Sequence, residues 1–120
     1  MDLHQRDLVF LYDDIHTKNS IQEHPYIVIS CQDAILHDGF VIVVMTTSSG
    51  MYNDDYSFPL TNEMFVKPLD KENCQARMHI IISVKNSQIA KRSVNKMKLV
   101  HFKQLLKQIK QTTLSVDEEE

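Results

Sequence analysis

Glycine is scarce in this sequence: only Gly39 and Gly50 occur among 120 residues. A GxGxxG dinucleotide loop or a GxxxxGKS/T phosphate loop needs closely spaced glycines, so neither is present. Long apolar runs are missing too. The longest, such as Phe40 to Met45 and Ile80 to Ile82, fall far short of the about 20 residues a membrane helix requires, so no membrane association is expected. The segment Met1-Asp2-Leu3-His4-Gln5-Arg6-Asp7 lacks the basic-then-apolar order of an export signal. Cysteine is limited to Cys31 and Cys74, which without an export signal read as reduced thiols of a cytoplasmic protein. The six histidines, His4, His16, His24, His37, His79 and His101, show neither HxxxH nor HxH spacing and have no paired cysteine beside them. A metal centre is therefore not expected.

What remains is an ordinary globular composition, 42% hydrophobic and 24% charged, sized for one domain. The net charge of −3 conceals a strong asymmetry. Residues 73–116 carry nine Lys and Arg and no Asp or Glu, whereas residues 1–72 carry twelve acidic residues against four basic ones. A cationic block of this length suits a polyanion such as RNA, because neutralising phosphates releases counterions. Two other readings stand beside it: the basic and acidic halves face each other, within one molecule or across a dimer, or the block binds an acidic partner chain. Residues 1–113 are expected to form the domain, with 114–120 an acidic, flexible tail.

Along the chain, Asp7 to Tyr12 is β-rich and is followed by a polar loop, Asp13 to Glu23. Pro25 to Ser30 reads as a second strand, entered already extended because Pro25 restricts His24. Phe40 to Thr47 is apolar without alternation, the pattern of a central strand covered on both faces. Asp38-Gly39 before it reads as a tight hairpin turn. Tyr56, Phe58 and Leu60 alternate with Ser57 and Pro59, which predicts a short strand at an edge, since proline cannot donate to a ladder. Ala76 to Val84 and Gln88 to Val94 complete the strands. From about Met97 the period changes: Leu99, Phe102, Leu105, Leu106 and Ile109 mark an amphipathic helix, with Asn95 as a possible cap. Five to seven short strands followed by one helix predict a mainly β fold, a small closed or half-closed barrel with a C-terminal α-helix packed over it.

The order of a short strand, a polar loop, His24-Pro25-Tyr26-Ile27-Val28-Ile29-Ser30, and then Val41-Ile42-Val43-Val44-Met45-Thr46-Thr47-Ser48-Ser49 resembles the MazF/PemK family of toxin–antitoxin ribonucleases. Cys74-Gln75-Ala76-Arg77 resembles its Asp-Gln-x-Arg segment, and Ile89 to Met97 with the helix its closing strand and helix. The resemblance spans roughly residues 7–110 and implies an SH3-like barrel that forms a homodimer. It further implies metal-independent cleavage of single-stranded RNA, with no cofactor, and restraint by an antitoxin protein. Thr46 matches the family's active-site threonine, while His24 stands at its arginine position and Cys74 at its aspartate.

Cleavage without metal uses the 2′-OH as nucleophile and needs a base, an acid and donors for charge developing on phosphorus. His24 can exchange a proton near neutrality, and Arg77 can clamp a phosphate through two parallel bonds. Arg77 and His79 are two residues apart, on one side of a strand, with Met78, Ile80 and Ile82 expected toward the core. His24, Thr46 and Arg77 are therefore the candidate catalytic residues. His16 and Lys18 in the long loop, His79, and Lys91 and Arg92 in the last strand are the candidate RNA-binding residues. Cys74 near Arg77 is a candidate for a lowered thiol pKa, although no neighbouring His or glycine-rich turn supports a cysteine hydrolase. The alternative is a catalytically inactive RNA- or peptide-binding module of the same fold.

Overall fold

The octapeptide Phe40–Thr47 organises the molecule, as its unbroken apolar run predicts. In the computed structural model, which describes residues 2–118 except 15, 16, 23, 49 and 51, it is strand β3. Around it stand β1 (Asp7–Leu11), β2 (Tyr26–Val28), β4 (Ser57–Leu60), β5 (Cys74–Lys85) and β6 (Ile89–Lys96), in the order β4-β5-β3-β2-β1-β6 and antiparallel throughout. Two helices, α1 (Gln32–Asp38) and α2 (Leu99–Thr112), complete the fold.

From Val43 onward both sides of β3 are covered, while Phe40 and Ile42 at its start stay exposed. Val44 belongs to a core under α2 with Leu8, Ile27, Phe58, Met78, Phe102, Leu105 and Ile109. Val41 and Val43 belong to a second core on the other side, with Val9, Tyr26, Val28, Val84 and Ile35 of α1. Full burial of such side chains stabilises by about 1.5–3 kcal/mol each, so the two cores set the strand register.

The sheet is not closed into a barrel, which corrects the closed form implied by the resemblance. Strands β4 and β6 remain its two edges, and the segments that follow them meet at the isolated bridge Phe65–Met97. The backbone bonds Val66 N–H to Lys96 O and Lys98 N–H to Met64 O flank this bridge. β4 has only four residues, one of them Pro59, whose ring nitrogen cannot donate; closure by a full ladder has no donor row to use.

Three local expectations are also corrected. Asp38-Gly39 is the end of α1: Gly39, at φ +79°, is the left-handed cap of a helix whose single buried residue is Ile35. A seven-residue helix with one buried side chain leaves no periodic signal. Asn95 does not cap α2, whose N-terminal boundary is Lys98. Finally, Arg77 and Met78 are both buried, at 5% and 2% exposure, and Ile82 is 37% exposed. The register between β3 and β5 breaks between Val44, opposite Ile81, and Thr46, opposite Ala76. That bulge in β5 ends the simple alternation on which the Arg77 and His79 reading relied.

Candidate nucleic-acid interface

The gap between the two unclosed edges is a groove of about 440 Å³. Its apolar side comes from Leu8, Leu60 and Phe65, all buried core side chains. Along its margin lie Lys67 and Lys71 from the chain after β4, and Lys91 and Arg92 from β6, with Asp70 as the one carboxylate among the described lining residues. His24, Pro25, Thr46, Thr47, Ser48 and Cys74 form the remaining wall.

The local sequence explains why these groups meet. Pro25 starts β2 in extended geometry, and Thr46 near the end of β3 locks onto it: Thr46 N–H and Oγ1–H both donate to the Pro25 carbonyl, at 3.3 and 2.5 Å. The hydroxyl is thereby fixed, and Thr46 is only 4% exposed. His24 is half-buried one residue earlier, its ring tilted against Tyr26 at 5.5 Å between centroids. Across the groove, Asn95 acts as a side-chain substitute for a β-ladder. It accepts from Lys67 N–H and Lys96 N–H and donates to the Lys67 carbonyl, each at 2.9 Å. This pins the segment bearing Lys67 to β6, where a ladder between edges is lacking.

Charges around the groove are partly committed. Arg92 donates to the Asp2 carbonyl at 2.8 Å and lies 3.7 Å from Asp7, while Lys96 is 3.7 Å from the other Asp7 oxygen. Lys91 sits over the Phe10 ring at 4.8 Å, with its charge at the surface. The basic and acidic halves of the sequence therefore do meet at Asp7 and Asp54, while Lys67, Lys71 and Lys91 leave the groove margin cationic. Cys74 donates its S–H to the Lys71 carbonyl at 3.1 Å, and burial pushes its thiol pKa up. The lowered pKa expected from Arg77 is thus reversed, because the guanidinium is bound elsewhere and burial disfavours a thiolate.

Of the sequence candidates, the structure brings His24, Thr46, Lys91 and Arg92 together. Arg77 is not among the groove's lining residues: it makes two bonds of 3.0 Å to the Asp54 carboxylate, donates to Ser57, and lies 4.0 Å under the Tyr52 ring. His79 is exposed beside Tyr56, with ring centroids 4.9 Å apart. Lys18 is exposed in the β1–β2 loop in a left-handed conformation, φ +57°, and also lies outside the groove. His16 falls outside the described residues. Sequence reading missed Lys67, Lys71 and Asn95, for which it holds no signal; the first two are isolated lysines in the acidic half. Among the described residues no three His, Cys, Asp or Glu side chains gather as a metal site, and no helix is long and apolar enough to cross a membrane.

By sequence the chain matches no family model and no curated protein. By structure it is similar to an endoribonuclease in complex with its cognate antitoxin from a mycobacterial species, with a TM-score of 0.71 and 9% identity over 98% of this chain and 100% of that one. It is also similar to MazE–MazF from Deinococcus radiodurans, with a TM-score of 0.68 and 12% identity over 98% and 99% of the two chains. A third likeness is to the Mycobacterium tuberculosis toxin MazF-mt6, with a TM-score of 0.64 and 10% identity over 93% and 99%. The resemblance read from residues 7–110 is borne out at the level of the fold, which is MazF-like and carried by a divergent sequence.

Proposed function

We propose that the chain is a metal-independent endoribonuclease acting on single-stranded RNA, the toxin of a toxin–antitoxin pair. The observation that carries this reading is the meeting of His24 and Thr46 with four cationic side chains in one groove of a MazF-like sheet. Lys67, Lys71, Lys91 and Arg92 hold the backbone phosphates. Among the described lining residues, His24 is the one of the type whose ordinary pKa lies near neutrality, so it takes the proton of the 2′-OH. The 2′-oxygen forms a bond to the adjacent phosphorus, the bond from phosphorus to O5′ breaks, and the leaving O5′ takes a proton from water. A 2′,3′-cyclic phosphate and a 5′-hydroxyl result. Thr46 positions the His24-Pro25 segment through the Pro25 carbonyl. Arg77, paired with Asp54, supports the β4–β5 end of the sheet.

The similar structures include one described as an endoribonuclease with its cognate antitoxin and others described as MazE–MazF, which supports an antitoxin protein as the partner of this chain. An acidic extended segment suits the cationic groove and would compete with RNA there. For the homodimer, the sheet offers one surface. Phe40 and Ile42 are 41% and 40% exposed, and Ile42 borders a shallow depression with Ile29, Ile81 and Leu114. A second copy of the chain covering this face removes it from water.

The test is a long RNA incubated with the protein in excess EDTA and resolved on a denaturing gel. Discrete fragments ending in cyclic phosphate are expected, with the His24→Ala variant slower by about 10²- to 10⁴-fold. Salt-sensitive binding with no cleavage would instead establish the inactive binding module, a reading favoured by the absence of an arginine before Pro25.

A further inference from the structure

Away from the groove, on the other end of the β4–β5 ladder, two tyrosines are held outward by a polar scaffold that the proposed chemistry does not use. We infer that Tyr52 and Tyr56 form a stacking platform for unpaired nucleobases, a second binding area for the same strand whose phosphates the groove holds. This rests on the RNA reading above and adds the place where bases are bound.

The geometry argues it in three steps. Tyr52 has one ring face on the Arg77 guanidinium, 4.0 Å away, and remains 43% exposed, so its opposite face is open to a planar ligand. Tyr56 packs beside His79 and is 40% exposed. Both are fixed through one carboxylate: Asp54 receives both terminal nitrogens of Arg77 and accepts from the Tyr56 N–H, and its backbone carbonyl accepts from Ser57 N–H. Tyr56 in turn accepts at its carbonyl from Met78 N–H at 2.8 Å. Rings held this way lose little freedom when a base stacks on them, so more of the stacking energy appears as affinity.

The ladder beneath the tyrosines also carries a buried amide. Gln75 lies two residues before Arg77, and in the ladder with β4 the two residues share a side, opposite Pro59 and Ser57. Gln75 is 6% exposed, and its Oε1 accepts no hydrogen bond among the described residues. Charge also selects the part of the strand that binds here. Asp55 is exposed and Asp54 keeps half its side chain in water, so a phosphate is repelled where an uncharged base is not. Leu60 and Cys74, paired in the ladder, line the groove, and Ser57 and Arg77 are paired at the platform. The two areas are three residues apart along β5, about 10 Å, an odd step that places Cys74 and Arg77 on opposite sides of the ladder, so a strand that joins them passes over the β4 edge.

The test uses the intact protein and short oligodeoxynucleotides, which lack the 2′-OH and are not cut, each with 2-aminopurine at one successive position. Quenching at one or two positions is expected. Tyr52→Ala and Tyr56→Ala should each weaken binding by about 5- to 150-fold, the equivalent of about 1–3 kcal/mol per stacked base, with the salt slope unchanged. Tyr52→Phe and Tyr56→Phe should retain binding, which separates stacking from loss of fold. Unaltered affinity and quenching in both alanine variants, while Lys91→Ala weakens binding, would overturn the platform and leave the groove reading intact. Losses in the tyrosine variants with none in Lys91→Ala and Arg92→Ala would support the platform and overturn the groove. No binding by the unmodified protein would overturn both.

Discussion

Arg77 and Asp54 form a two-bond ion pair in which the arginine side chain is 6% exposed and the aspartate 47%. This single contact takes the residue that sequence most favours as a phosphate clamp and ties it into a turn. It also holds Tyr52 and Tyr56 in place.

The pair makes stability depend on pH in a defined direction. The hydrogen bonds from Arg77, followed by smaller contributions from Tyr56 N–H and Ser57, lower the Asp54 pKa. A depressed folded-state pKa stabilises above the unfolded value, about 3.9, and that contribution is lost as pH falls through the folded value. Asp54→Asn should therefore lower Tm at pH 7, and the difference from the unmodified protein should shrink below about pH 4. A Tm gap that is unchanged from pH 7 to pH 2.5 would refute the assignment.

Phosphate binding should separate from base stacking in its salt response. Lys91→Ala should weaken RNA binding similarly for all sequences and reduce the slope of log K against log salt by about 0.7–1. Titrations at four salt concentrations measure it. An unchanged slope would place the phosphates elsewhere.

Asn95→Leu removes two hydrogen bonds that join the Lys67 segment to β6 and a third, from Lys96 N–H, within β6. Stability should fall by about 1–3 kcal/mol, since the partly buried N–H and carbonyl of Lys67 lose their partner. Hydrogen exchange at Lys67 should accelerate more than in β3, and RNA affinity should fall although Asn95 carries no charge. Uniform exchange behaviour would remove the proposed role in shaping the groove.

The cysteines should differ in reactivity. Cys31 is exposed, whereas Cys74 is partly buried, donates to the Lys71 carbonyl and has a raised pKa. Iodoacetamide at pH 7.5 should alkylate Cys31 first, and Cys74→Ala should leave RNA cleavage within about threefold of the unmodified rate, because a thiol held protonated is a poor nucleophile. Faster alkylation at Cys74, read by mass spectrometry, would reverse this.

The dimer surface is tested by Ile42→Glu. Ile42 is 40% exposed, so the substitution should cost the monomer no more than about 0.5 kcal/mol. Sedimentation should show a dimer for the unmodified chain and a monomer for the variant. A monomer in both would exclude this face as an interface between copies.

Much of the local architecture was readable from residue order. The apolar run at β3, the proline that makes β4 an edge, and the helical spacing of Phe102, Leu105 and Ile109 each report a side chain's immediate neighbours, and immediate neighbours are what patterning encodes. His24 and Thr46 were singled out by the resemblance instead, His24 at the family's arginine position before Pro25 and Thr46 at its threonine position near the end of β3. The chain's order of segments likewise carried the resemblance that the fold then bore out.

What residue order left open were relations between segments distant in the chain. Whether β4 and β6 join depends on how the Phe65–Met97 bridge and Asn95 bring residues about thirty positions apart into contact. Arg77 lost its place in the groove to Asp54, 23 residues away, and the bulge that turned it there arises from pairing with β3 rather than from β5's own composition. Period and propensity describe one segment against water or an undefined interior. A salt bridge, a register break and a gap between edges exist only once two segments are packed, which is why the groove and its lysines came from the folded molecule.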